Sequence, residues 1–271
     1  MKVALYNALS CGGCDLRFFL EDLPEWLLHQ LEVVYWPELG VTEAPERTIH
    51  IDIALVCGAI RTPEQERTVR TLRRRARSLV AVGACALYGG IPGLLWEKEE
   101  GPRPVSRVVP CDRFIPGCPP EAHTLRKHLE DLRQGKERED PPVSLCKECP
   151  RERQAFRIKG ALRITGGTSR KECFLALGII CSGPVTRGGC GAVCIRAGEP
   201  CRGCYGPLDP FSGERFLSAL ASAVPSAEGE EFLRALVDPV GILFRFFLAE
   251  SPILRIKKED IDGEKNQHKT P

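Results

Sequence analysis

Fourteen cysteines occur in 271 residues, and twelve of them fall into three quartets. Cys11 and Cys14 form a C-x-x-C near the start, and Cys85 and Cys118 stand further on in segments flanked by Gly or Pro, read as loops. Cys146 and Cys149 form a second C-x-x-C, followed by Cys173 and Cys181. Cys190, Cys194, Cys201 and Cys204 complete a third set that ends in C-x-x-C, leaving Cys57 and Cys111 over. A cubane iron-sulfur cluster needs four soft thiolates, delivered from turns in which Gly and Pro bend the backbone around it and aim amides at its sulfurs. Three such sets describe an electron relay.

Other uses of cysteine fit less well. Disulfides belong to oxidising compartments, yet MKVALYNALSCGG has neither the apolar core nor the small-residue cleavage site of a secretory signal. Structural zinc ribbons pair two C-x-x-C knuckles at short separation, whereas each knuckle here is completed by single distant cysteines. A buried inert thiol accounts for one position, such as Cys57 in an apolar run, but not for three repeats of C-x-x-C. His29, His50, His123 and His128 lack ligand spacing, and Arg73, Arg74 and Arg75 read as a charged helix face. GGIPG at 89–93 lacks the Lys of a phosphate loop and is read as a turn shaping the first cluster's pocket.

The elements that must position these thiols follow from the apolar pattern. Lys2 to Ala8 is a short apolar run suited to a buried parallel strand, and the loop with Cys11 and Cys14 follows it. Asp15 to Gln30 reads as a helix, with Leu16, Phe19, Leu20, Leu23, Leu27 and Leu28 on one side despite Pro24. Strands are expected at 31–36, 51–57 and 79–83, an Arg-rich helix at 63–78 and a further helix at 119–134. The alternation predicts an α/β fold with a flavodoxin-like, doubly wound parallel sheet over 1–140. In such a sheet the loops at the carboxyl ends of the strands gather in one crevice, which would unite Cys11, Cys14, Cys85 and Cys118. Cysteines filling that crevice leave no room for a flavin. A charged, Pro-capped stretch at 135–142 reads as a linker. An irregular iron-sulfur domain is expected over 141–210, with too little apolar sequence for an ordinary core, so that metal would hold it together. A short helical extension is expected over 211–271, with helices at 213–224 and 230–237, an apolar segment at 243–248 that needs a covering surface, and a polar, disordered end from 257.

With 38 basic against 36 acidic side chains, no net field recruits nucleic acid or an anionic membrane. Residues 239–249 are too few to span a bilayer and include Arg245. Asn only at 7 and 266, and a single Met, match the depletion of thermolabile residues in heat-adapted proteins.

CGGCD at 11–15, GACALYGGIPG at 83–93 and PGCPP at 116–120, followed by CSGPVTRGGC at 181–190 and CRGCYGP at 201–207, resemble the motifs of the small, electron-transferring subunit of nickel-iron hydrogenases. That family is itself related to a cluster-bearing subunit of respiratory complex I. The resemblance covers about residues 1–210. It implies that Cys11, Cys14, Cys85 and Cys118 bind a proximal 4Fe-4S cluster, Cys146, Cys149, Cys173 and Cys181 a distal one, and Cys190, Cys194, Cys201 and Cys204 a medial one. The nickel-iron centre would belong to a separate large subunit. Many relatives carry histidine where Cys146 stands, and proline near Cys194 with a three-iron cluster there. The thiolates of this chain therefore imply an all-cysteine distal set and a complete medial cube of lower potential. Where the family commonly has a carboxylate, this chain has Cys57, expected beside the proximal cluster as an alternative ligand or as a neighbour that adjusts its potential. Cys111 is expected to be a bystander.

The resemblance is nearest to the cytoplasmic, methyl-viologen-reducing, F420-non-reducing type. It implies a large-subunit partner and an acceptor such as a 2Fe-2S subunit leading to heterodisulfide reductase. The absence of a twin-arginine signal and of an anchor agrees with a cytoplasmic complex. An NAD(P)- or sulfur-reducing relative, an electron connector whose large subunit has lost nickel, and a complex I-like module are the alternatives.

Overall fold

Strand formation in the first half follows from residues that are apolar on both faces of each strand. In Ile51–Cys57 (β3), Ala54 and Val56 turn to one face while Ile53, Leu55 and Cys57 turn to the other, and all are buried. A computed structural model of the chain describes residues 1–20, 29, 31–42, 50–95, 101–136, 143–153, 171–223 and 239–252. Its sheet contains Lys2–Asn7 (β1), Glu32–Tyr35 (β2), β3, Ala76–Val82 (β4) and Arg113–Ile115 (β5) in the order β2-β1-β3-β4-β5, with every ladder parallel. This is the flavodoxin-like order expected from sequence, and its direction of winding reverses between β1 and β3.

Helices cover both faces. Gly13–Leu20 (α1) follows β1, Pro63–Arg75 (α2) follows β3, Gly83–Tyr88 (α3) follows β4 and Ala122–Arg133 (α4) follows β5. Val69 and Leu72 of α2 join Ala54, Val56, Leu79 and Ala81 in one core. Leu125 and Leu129 of α4 join Leu5, Leu55, Val80, Val82 and Ile115 in the other. A capping box of Thr62 and Gln65, with Pro63 at the first helical position, starts α2.

Three boundaries differ from the sequence reading. The strand expected at 79–83 begins at Ala76, because Ala76 pairs with Ile51 and the Arg73 guanidinium binds the carbonyls of Ala76 and Arg77. The helix expected from Pro119 begins at Ala122, where Glu121 caps it by accepting from the His123 N–H. β5, with three residues and an exposed Phe114, was too short for its pattern to register. Leu23, Pro24, Leu27 and Leu28 of the first expected helix, the helix at 230–237 and the tail from 257 lie outside the described residues.

The chain divides into two units, Met1–Glu139 with Phe246–Glu250, and Asp140–Arg245 with Ser251–Pro271. The second unit consists of single 3-10 turns at Leu145–Lys147, Leu175–Leu177 and Gly183–Val185, joined by Val193–Arg196 (α5), Ser212–Ala223 (α6) and Pro239–Leu243 (α7). It buries Leu145, Phe174, Leu175, Ile179, Ile180, Ile195, Tyr205, Phe216, Leu220 and Phe244, more apolar surface than the sequence led us to expect. Phe216, Leu220 and Phe244 come from α6 and the segment after α7, beyond the stretch judged poor in apolar residues, and Phe174, Leu175, Ile179, Ile180 and Ile195 come from within it. Within this unit Phe244 lies against Gly213, where a Cβ would be 2.3 Å from its ring. In the first unit the 3-10 turn Leu248–Glu250 is held by the Arg107 guanidinium on Glu250, at 2.9 and 3.2 Å.

Candidate iron-sulfur sites

The first site is built at the carboxyl edge of the sheet. β1 ends at Asn7, level with Cys57, which is in turn level with Val82. Past the strand ends, paired bonds between Leu9 and Ala59 (3.0 and 2.9 Å) fix the loop after β1 against the loop after β3. The Asn7 amide donates to Asp15 at 3.3 Å, Ser10 Oγ donates to Asn7, and the Gly12 N–H donates to Ser10 Oγ at 3.0 Å. This polar turn sets Cys11 at the surface and turns Cys14 inward, where it is 8% exposed. Cys85 comes from the end of β4, and Cys118 from the loop after β5, where the Cys118–Pro119 bond is cis. The Ala84 N–H donates to the Gly117 carbonyl at 2.7 Å and ties these two segments together.

Glycine is required where the backbone meets the thiols. At Gly83, with φ of +85°, a Cβ would fall 2.4 Å from Cys14 Sγ; at Gly90, with φ of +56°, one would fall 2.6 Å from Cys85 Sγ. Burial, together with the neighbouring Cys118, Cys14 and Cys11, pushes the Cys85 thiol up to about 12. Cys118 is pushed up to about 11 by burial and by Cys14 and Cys11. Each therefore lies within electrostatic reach of the other members of its quartet, the environment in which a metal that binds thiolates replaces protons. Cys14 departs from this pattern. Its contact with the Cys57 thiol lowers its pKa, and the same contact together with burial raises Cys57.

The second unit assembles the remaining eight thiols. Ser144 Oγ accepts from the Cys146 N–H at 3.2 Å and donates to the Gly183 carbonyl at 3.0 Å. This joins the 146–149 knuckle to the turn after Cys181, and a Cβ on Gly183 would lie 3.5 Å from both Cys146 Sγ and Cys181 Sγ. Cys173 is brought to the knuckle by its N–H bond to the Glu152 carbonyl (2.9 Å), while Arg151 lies over the Phe174 ring at 3.7 Å. Burial raises the Cys146 thiol, with Cys149 and Cys173 adding to the shift. Burial chiefly, with Cys201 and Cys146 adding at Cys181 and Cys204 and Cys190 adding at Cys201, pushes each of these two up to about 12; burial also raises Cys190, with a smaller part from Cys194. The Cys201 N–H donates to Cys181 Sγ at 3.3 Å, so the two sets touch there.

A family model described as NADH ubiquinone oxidoreductase, 20 Kd subunit, matches residues 11–132. A subunit of the F420-non-reducing hydrogenase vhu of Methanocaldococcus jannaschii is 33% identical over 290 residues, covering 95% of this chain and 98% of that protein. The chain belongs to the family of these F420-non-reducing hydrogenase subunits. This makes it a small subunit of a nickel-iron hydrogenase and part of an oxidoreductase. The F420-non-reducing hydrogenase iron-sulfur subunit of Archaeoglobus profundus is 28% identical over 92% of this chain and 96% of that protein. The actinobacterial-type NiFe-hydrogenase from Ralstonia eutropha H16, with a TM-score of 0.57 at 16% identity over 100% of this chain and 92% of that one, has the same fold.

In this hydrogenase small subunit all fourteen cysteines are free of disulfides. Among the described residues no group of three or more His, Cys, Asp or Glu side chains has the close spacing that holds a single metal ion. Cys85 stands inside the short helix α3 rather than in the loop expected, because the left-handed Gly83 turns the end of β4 directly into a helix. Cys57 is fully buried beside Cys14, on the face of β3 shared with Ile53 and Leu55. Cys111 packs against the opposite face; burial pushes it up to about 12, and its charged neighbours are Asp112 and Arg73 rather than any quartet thiol. The position of Cys57 was legible only in part. Its place at a strand end was visible in IDIALVC, but its contact with Cys14 depends on the pairing of β1 and β3. No described helix is long and apolar enough to cross a membrane.

Proposed function

We propose that this small subunit holds three 4Fe-4S clusters. A proximal one would lie on Cys11, Cys14, Cys85 and Cys118, a distal one on Cys146, Cys149, Cys173 and Cys181, and a medial one on Cys190, Cys194, Cys201 and Cys204. What supports this reading, in a hydrogenase small subunit, is the gathering of Cys11, Cys14, Cys85 and Cys118 around glycines where a Cβ would collide with sulfur, and of the other eight thiols near one another in the second unit. The donor set fits the group, being all thiol, all but Cys11 and Cys194 buried or partly buried, and supplied with backbone N–H donors, such as those of Gly203 and Cys201 to sulfur at 3.4 and 3.3 Å. When bound, the clusters supply one-electron relay between a nickel-iron site in the partner large subunit and an acceptor. The chain's own residues hold the thiols, limit water around Cys14, Cys85, Cys181 and Cys201, and aim N–H groups at sulfur, which stabilises the reduced, more negative state.

The same reading includes a cytoplasmic complex with a large subunit and a 2Fe-2S acceptor leading to heterodisulfide reductase. It assigns the proximal cluster to residues 1–140, the other two to 141–210 and a helical extension to 211–271. Iron and acid-labile sulfide on anaerobically purified complex, together with EPR of the oxidised and reduced forms, test the assignment. Iron for three cubes in this chain is expected. A stoichiometric three-iron signal in the oxidised protein would overturn the medial assignment, and zinc in place of iron would overturn the relay.

A further inference from the structure

Glu148 lies between Cys146 and Cys149, yet its side chain serves the loop that carries Cys190. Its carboxylate oxygens accept the N–H groups of Gly189 at 2.5 Å and Gly191 at 2.8 Å, the residues on either side of Cys190. Gly188 lies close enough that a Cβ there would be 2.5 Å from Glu148 Oε1, and its N–H donates to the Val143 carbonyl at 2.9 Å. Gly189 and Gly191 take φ of +115° and +66°, and such turns of the backbone point successive N–H groups into a concave anion nest. The carboxylate thus holds the amides on both sides of Cys190, one residue from its sulfur-bearing side chain in each direction.

We propose that Glu148 is a positioning residue that clamps the medial-cluster loop to the distal-cluster knuckle and, through its fixed negative charge, holds the medial cluster at a lower potential than the ligand set alone would give. The inference rests on the ligand assignment above. A negative charge beside a cluster disfavours adding an electron, so it moves the electron distribution between the medial and distal clusters toward the distal one. The clamp also gives the carboxylate inside the Cys146–Cys149 knuckle a role.

The test uses the intact complex and two variants, Glu148→Gln and Glu148→Ala, with potentiometric EPR titration and hydrogen exchange of peptides spanning 188–194. Glu148→Gln removes the charge while keeping one acceptor. The medial midpoint is expected to rise by an amount that changes the medial–distal electron distribution on the order of tenfold, about 59 mV for a one-electron couple, with the proximal midpoint unmoved. Glu148→Ala is expected to give the same rise and, in addition, faster exchange at Gly189 and Gly191. Deprotected amides with an unmoved medial midpoint would reduce Glu148 to a structural brace and overturn the proposal, as would equal shifts in all clusters or unchanged exchange in the alanine variant. Native iron too low for three cubes would overturn the ligand assignment itself, and it is read on the unmodified protein.

Discussion

Replacing Cys57 by alanine removes a single S–H donor from the proximal site without touching any assigned ligand. Cys57 is fully buried at the end of the central strand β3, level with Asn7 and Val82, and its thiol packs against that of Cys14, to which its S–H can donate. Hydrogen bonds to charged groups are worth about 1.5–3 kcal/mol, and a thiol is a weak donor, so the lower end applies. The bond is stronger in the reduced, more negative state, and the part that differs between the two oxidation states is on the order of 1 kcal/mol, about 40 mV for a one-electron couple. The proximal midpoint should therefore fall by about that amount in Cys57→Ala, because the state that gains most from the donor loses it. Cys57→Ser, which keeps a donor of similar reach, should fall by less. Potentiometric EPR titration of the proximal signal reads both variants, and iron content shows that the cluster is retained. A midpoint unchanged in the alanine variant would refute the donor role and leave Cys57 as packing alone; loss of one cluster's worth of iron would instead make it a ligand.

Gly83→Ala adds a Cβ 2.4 Å from Cys14 Sγ at a φ of +85°, with a backbone cost of about 1–2 kcal/mol before the clash; iron analysis should show the proximal cluster lost and the others kept. Cys194→Ser should reduce iron by about one atom per chain and produce a three-iron EPR signal, since the other medial thiols remain. In the cluster-free chain, Cys85, Cys181 and Cys201 sit at about 12 and Cys118 at about 11, against about 8.5 unfolded. Raised thiols stabilise the fold below pH 8.5, and above it the unfolded chain sheds protons first, so denaturant midpoints should fall as pH rises from about 8.5 toward 12. In the cluster-bound protein the ligands carry no protons and that slope should vanish, so equal slopes in both forms would contradict the assignment.

The strand-helix alternation made the parallel sheet legible before any coordinates, and the cysteine spacing supplied the proposed quartets and their separation into an early and a later group. Local pattern suffices there, because apolar runs such as 51–57 can be buried only in a two-sided sheet, and ligand loops must follow strand ends. β5 was too short to carry a period, and the onset of β4 at Ala76 was decided by its partner Ile51 and by the bonds of Arg73. Only the tertiary structure showed that Cys57 packs against Cys14, that Glu148 reaches across to the amides flanking Cys190, and that the N–H of Cys201 meets the sulfur of Cys181. Residue type and spacing state which atoms can bind iron. Which donors and charges surround those atoms depends on contacts between segments far apart in the chain, and no local pattern encodes them.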